Sequence, residues 1–243
     1  MTYSTAGFGA SVGGMHTLRD LGLIITNDEI DEPPEPKTSF VEVPGSSVVL
    51  DLTCALTGRV EYGTRKLTLT LAGEKPAGEW APFMARLRAK LHGRRAEIVL
   101  DEEPTLAYVG RVAVGELKRV GRAGTFDLTA ECEPYRQETA PSDGTWEWDP
   151  FSFESGVVRE YGDISVDGSL TVPIAGTQKL TVPVITLTDV SKDEAPYLVF
   201  EGERHELQAG RNRIPEVRIA EAGGKLELHG KFKATIDFKG GAI

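Results

Sequence analysis

The chain has 243 residues, 40% apolar and 26% charged, with 37 acidic against 27 basic side chains and a formal net charge of -10. Domains commonly hold about 100–200 residues, so the length implies one large or two modest globular domains, each with enough apolar material for a core. The acidic balance argues against broad binding to phosphate backbones, no run of about 18 apolar residues offers a membrane-spanning helix, and two cysteines, Cys54 and Cys132, make no secreted disulfide framework.

The first 20 residues are rich in Gly and Ser and read as a flexible arm. They lack the charged start and apolar run of a secretory leader, so synthesis and folding in a cytoplasm are expected. A short strand follows at 21–26. Residues 28–36, Asp-Glu-Ile-Asp-Glu-Pro-Pro-Glu-Pro, form an acidic loop in which three prolines forbid helix and discourage a central strand. From 40 to 71 apolar residues alternate: Val41 and Val43 before a Pro44-Gly45 turn, then Leu50, Leu52, Cys54 and Leu56, then Leu67, Leu69 and Leu71. Period-two alternation predicts strands with one buried face. On that parity Cys54 is expected to be buried beside its leucines, and Cys132 beside Phe126, Leu128 and Ala130.

A single helix is predicted near residue 80. Trp80, Phe83, Met84, Leu87 and Leu91 fall at helical spacing, Pro82 sits in the first turn, and Gly93 stands where a helix would stop. Its opposite face carries Arg86, Arg88 and Lys90, with Arg94 and Arg95 just beyond. Strands resume at 96–100, 106–114 and 125–132, the last two joined by a turn around 121–124. A polar Pro/Gly/Ser stretch within 137–150, ending in Trp146-Glu147-Trp148, marks a domain boundary and divides the chain into 1–140 and 141–243. The second half alternates in short runs at 170–172, 180–182, 198–200, 217–219, 226–228 and 232–238, which argues for a β-sandwich or jelly roll.

Chemistry-bearing motifs are weak. His16, His92, His205 and His229 have no His or Cys at metal-ligand spacing. Gly9-Ala10-Ser11-Val12-Gly13 matches the hydrolase elbow formally, without the strand before and helix after that the elbow requires. The Asp101-Glu102-Glu103 cluster reads as a solvated turn. No catalytic residue, cofactor or metal is therefore expected. Trp146 and Trp148 share one face of an extended segment and are candidate sugar contacts, with packing at the domain junction as the competing role. The basic helix face is a candidate subunit contact. A solvated face is the competing role. The candidate complement is the acidic loop, through Asp28, Glu29, Asp31 and Glu32, either within the chain or from a neighbouring copy; in the second case the contact is head-to-tail and closes into a ring.

Several residues of the first half stand in a telling order. Val43-Pro44-Gly45 precedes a strand, Glu61-Tyr62-Gly63-Thr64-Arg65 leads into Leu67–Leu71, the Trp80 helix follows, then Tyr108-Val109-Gly110-Arg111 and Glu131-Cys132-Glu133-Pro134-Tyr135. Over residues 15–136 this resembles the distal tail protein family of siphophage tail tips. The resemblance implies a mainly β chain: a tail-tube-like β-sandwich or barrel domain with one α-helix, then a galectin-like β-sandwich domain. It also implies a non-enzymatic hub, a hexameric ring at the distal end of the tail tube, that joins the tube protein to tail-tip or baseplate proteins and encloses the channel through which DNA passes. The expected location is the virion tail tip, after assembly in the host cytoplasm, without membrane insertion or sequence-specific nucleic-acid binding. The sugar-holding set of true galectins is not matched; Asn212 and Arg213 are present without the rest. Two other readings stand beside the hub: a carbohydrate-binding adhesin module of a virion or cell surface, and a hydrolase on a β-sandwich.

Overall fold

A computed structural model describes residues 9–27, 33–140, 160–191 and 194–243. The chain is mainly β, with one α-helix among the described residues, and no described helix is long and apolar enough to cross a membrane. It divides into two compact units: one of the residues up to Glu103 with Tyr108–Pro134 and Ile243, the other of Pro104–Ala107 with Tyr135–Ala242.

The first unit contains β1 (Ala10–Val12), β2 (Met15–His16), β3 (Leu23–Asn27), β4 (Pro36–Lys37), β5 (Phe40–Glu42), β6 (Val49–Asp51), β7 (Glu61–Tyr62), β8 (Arg65–Glu74), helix α1 (Trp80–Leu91), β9 (Arg95–Leu100), β10 (Leu106–Val114), β11 (Lys118–Val120) and β12 (Ala123–Cys132). Its main sheet runs β2-β1-β9-β10-β12-β8-β3, with β11 also on β12. The longest pairing joins β8 to β12 through ten antiparallel pairs, from Arg65↔Cys132 to Glu74↔Ala123. Alternation puts Leu67, Leu69 and Leu71 of one strand and Phe126, Leu128 and Ala130 of the other on the same buried face.

Helix α1 lays Trp80, Met84, Leu87 and Leu91 on that face, with Phe83 packed at its border. Trp80 is fully buried, and its indole N–H donates to the Arg122 carbonyl at 2.9 Å. The ring lies so close to β12 that a Cβ on Gly124 would stand 2.5 Å from Cζ2, which leaves room for glycine alone. The helix ends at His92, whose Nδ1 accepts from the Val114 N–H at 3.0 Å, and Gly93 turns the chain with φ 76°.

Two expectations for this unit are corrected. Residues 10–16 form a hairpin in the main sheet and not a flexible arm: Ala10–Val12 pair with Ile98–Leu100, and Gly13 and Gly14 make the turn at φ 55° and 78°. The glycines supply a tight reversal here, not slack. Cys54 is exposed, and so are Leu50 (46%), Leu52 (41%) and Leu56 (99%). The alternation there belongs to a two-stranded ribbon, β5–β6, that no second layer covers among the described residues, and residues 53–58 are turn and bend. Cys132 is buried in the core, as its parity predicts.

The second unit contains β13 (Arg136–Glu138), β14 (Ile164–Ile174), β15 (Val184–Thr188), β16 (Tyr197–Phe200), β17 (Glu203–Glu206), β18 (Gly210–Arg213), β19 (Gly224–Asp237) and β20 (Gly241–Ala242). Strand β13 pairs with β20 and with Leu106 and Ala107. The sheet runs β17-β16-β19-β15-β18, with β14 also on β19. The runs expected separately at 226–228 and 232–238 are thus one strand of 14 residues, paired with β14 over 224–234, with β16 over 227–229 and with β15 over 233–237. Its even-numbered side chains Leu226, Leu228, Phe232, Ala234 and Ile236 enter a single core with Ile185, Leu187, Leu198, Val217 and Ile219. The runs at 180–182 and 217–219 are not strands; they meet in the isolated bridge Thr181↔Ile219, which buries Ile219 without building a ladder.

Replacing Gly124 by Ala should cost about 1–3 kcal/mol by overpacking against Trp80. The atoms that a Cβ would strike belong to the outer ring of the indole. The penalty should therefore shrink in a Trp80→Phe background. Denaturant unfolding of the four proteins of this cycle checks it, and strictly additive costs would refute the contact as the cause.

Candidate assembly surfaces

The basic face of α1 is built as the helical pattern predicts. Arg86, Arg88, Lys90 and Arg94 are all exposed. Arg88 and Lys90 occupy the last turn, where the carbonyl end of the helix dipole favours cations. Arg88 also donates from Nη2 to the Gly115 carbonyl at 2.9 Å. Part of this charge thus serves the helix itself. Beside the last turn lies an open groove of about 560 Å3 between the β1–β2 turn and the start of β9, with Gly13, Met15, Ala89 and Ala96 in its wall and Lys90 and Arg94 on its rim. The complement named from the sequence, Asp28, Glu29, Asp31 and Glu32, lies outside the described residues, as do Trp146 and Trp148.

The formal Gly-x-Ser-x-Gly segment acquires a neighbour that the sequence did not offer. Ser11 stands opposite His16 in the β1–β2 register, and His16 Nε2 lies 3.0 Å from an oxygen of Asp101. The three residue types of a hydrolytic triad are therefore close together. The hydrogen bonds assign them a different task. Nδ1 of His16 accepts from the backbone N–H groups of Leu18 and Arg19, each at 3.1 Å. The proton must then sit on Nε2 and be donated to Asp101, so neither ring nitrogen can accept the Ser11 proton. His16 is buried and Asp101 is partly buried. The Asp101 N–H donates to the Gly9 carbonyl at 3.1 Å. The group pins the β1–β2 hairpin to the end of β9, so Asp101 does more than decorate a solvated turn.

Residues of the segments 61–65, 108–111 and 131–135 also meet. The Thr64 hydroxyl donates to Glu131 at 3.0 Å, and the Arg65 guanidinium lies 5.6 Å from the centre of the Tyr108 ring. A Cβ on Gly110 would come 2.5 Å from the Glu131 carbonyl oxygen, so glycine is required by the close crossing of β10 and β12. These contacts hold strands together.

In the second unit Asn212 is fully engaged. Its Oδ1 accepts from the Gln208 N–H at 2.8 Å, and its Nδ2 donates to the Gln208 carbonyl at 2.7 Å and the Gly210 carbonyl at 3.0 Å. That fixes a turn and removes Asn212 as a sugar ligand. The sequence reading missed a planar stack on the outer face: the Tyr197 and His229 rings lie 4.5 Å apart and nearly parallel, with the Arg204 guanidinium 3.7 Å from the Tyr197 centroid. The cross-strand register Tyr197↔His229 brings the rings together, which no local pattern reveals. Among the described residues no three His, Cys, Asp or Glu side chains group as a metal site.

The two cysteines differ in environment. Burial raises the Cys132 thiol to about 11, outweighing the opposing pull of Arg65. At pH 8 it stays protonated, so a thiol reagent should modify one cysteine per native chain, Cys54, and the second only on unfolding. Equal reaction of both in the native protein would show that the β8–β12 sheet opens.

No family model and no curated protein matches this sequence. Among solved structures the chain is similar to the Dit protein (gp19.1) of phage SPP1, whose structure is titled a paradigm of the hub adsorption apparatus in phages that infect Gram-positive bacteria. The match has a TM-score of 0.61 at 12% sequence identity and covers 97% of this chain and 99% of that one. The chain therefore has, over nearly its whole length, the fold of a phage distal tail protein.

Proposed function

We propose that the chain is a structural hub protein of a phage tail tip, forming a ring at the distal end of the tail tube and joining the tube to tail-tip or baseplate proteins. The observation that supports this most is the shared fold, which extends through both units of the chain instead of stopping at one common module. The residues fit a role without turnover: in the Ser11, His16 and Asp101 grouping the imidazole is committed on both nitrogens. In this reading residues 1–140 form the ring and enclose the DNA channel, and residues 141–243 form a peripheral galectin-like domain. The ring is a hexamer, it is assembled in the host cytoplasm, and it ends in the virion tail.

Head-to-tail contact in the ring runs from Arg86, Arg88, Lys90 and Arg94 of one copy to Asp28, Glu29, Asp31 and Glu32 of the next. A chain of net charge -10 repels its own kind at long range, so a local stripe of opposite sign is what an interface between copies needs. The adhesin reading rests on Trp146 and Trp148 and gains nothing from Asn212.

Light scattering should give a mass near six times 26.3 kDa, and negative-stain images should show rings. Reversing the charge of Arg86, Arg88 and Lys90 together should lower that mass toward a single chain at physiological salt. An unchanged oligomer in the triple variant would remove this contact from the interface.

A further inference from the structure

Residues 33–64 lie in the chain between β3 and β8, belong to the first unit and give its core no residue; Pro34 alone among them is buried. They are nonetheless ordered into two ribbons, β4–β7 and β5–β6. An isolated two-stranded ribbon is marginal in water, and ordering a residue costs about 1–2 kcal/mol in backbone entropy. The pattern of β5–β6 shows what offsets this. Register sets Val41 opposite Leu50, and the ladder continues from Val43 to Val48 through an N–H···O contact of 3.4 Å. One face is therefore Val41, Val43, Val48, Leu50 and Leu52, all aliphatic and without a charge. The other face alternates Phe40 and Val49 with Glu42 and Asp51. Val41, Val48, Leu50 and Leu52 of the aliphatic face are 41–56% exposed.

We infer that the aliphatic face of the β5–β6 ribbon is an interface element that packs against a second copy of this chain, which rests on the ring reading above. Two arguments select that occupant. Each copy carries a charge of -10, so the surfaces that can meet without repulsion are the basic stripe on α1 and an uncharged face such as this one. The area also fits a shared role. The four residues that are about half-exposed, Val41, Val48, Leu50 and Leu52, present about 300 Å2, more than a third of the ~800 Å2 that each partner buries in a standard interface. The ribbon therefore supplies an apolar part of an interface whose polar part is the helix contact. Uncharged, it can also pack on a neighbour at ordinary sheet-packing distance.

The test is the mass of Val41→Asp and Leu50→Asp proteins by light scattering, beside the uncharged pair Val48→Thr with Leu50→Asn. All are expected to fall to single chains at concentrations where the wild type is assembled, and to weaken association at least tenfold. The uncharged pair separates lost apolar contact from added repulsion. Because the ribbon lies outside both cores, the unfolding midpoint should stay that of the wild type, which keeps misfolding from mimicking the result. Variants that assemble like the wild type overturn the inference and leave the ring reading standing. Variants that assemble normally but no longer bind purified tail-tube or baseplate protein also overturn it, assigning the face to a different partner. A wild type that remains a single chain at every concentration overturns the ring reading itself.

Discussion

The ten-pair ladder between β8 and β12 is the constraint on which the first unit depends. It aligns two rows of aliphatic and aromatic side chains on one face and so creates the surface that α1 covers. At one end Gly124 admits the Trp80 indole; at the other, Arg65 and Cys132 stand opposite each other beside Tyr108 and the crossing at Gly110. Strand β3 pairs with the same β8 at the edge of the sheet, so residues 33–64 lie in the chain between an edge strand and one of the two most extensively paired strands of the unit. A ribbon with no core of its own can project usefully only from a base that does not yield. The leucines of β8 are buried by that framework, while Leu50 of β6 stays half-exposed.

That contrast shows where periodicity is informative and where it stops. Leu67, Leu69 and Leu71 and Val41, Leu50 and Leu52 carry the same period-two signal. Alternation specifies that one face is apolar; it contains nothing about which surface covers it. The helix was legible to within a residue because its stripe, its early proline and its terminal glycine agree. The N-terminal hairpin was not, because Gly13 and Gly14 suit a tight turn and a loose tail equally well, and the decision lies in pairing with Ile98–Leu100, far away in sequence. In the second unit the break at His229-Gly230 made one long strand look like two, although Leu226 and Ile236 keep the same parity throughout.

The candidate surfaces were less legible than the fold. The basic residues of α1 follow directly from helical spacing, yet two of them also complement the helix dipole, so charge alone does not assign them to a partner. The order of Thr64, Arg65, Tyr108, Gly110 and Glu131 is part of what suggests the resemblance, and the structure turns that order into contacts: Thr64 on Glu131, a cation beside the Tyr108 ring, and a glycine where β10 and β12 approach closely. The His16–Asp101 pair is the opposite case: two residues 85 positions apart with no motif to link them, joined by the meeting of β1 with β9.

Strand β19 has a consequence for the life of the chain. Three strands of the second unit, β14, β15 and β16, find their hydrogen-bond partners on it, and all three precede it in the sequence. A ribosome adds roughly 5–20 residues per second, so these strands emerge and wait with open edges until Gly224–Asp237 is made. Before that, β15 and β16 can pair with β18 and β17 alone, so the edges they later give to β19 stay open to any other nascent copy nearby. The production of this protein in bulk should accordingly be more sensitive to translation rate and temperature than its finished architecture suggests.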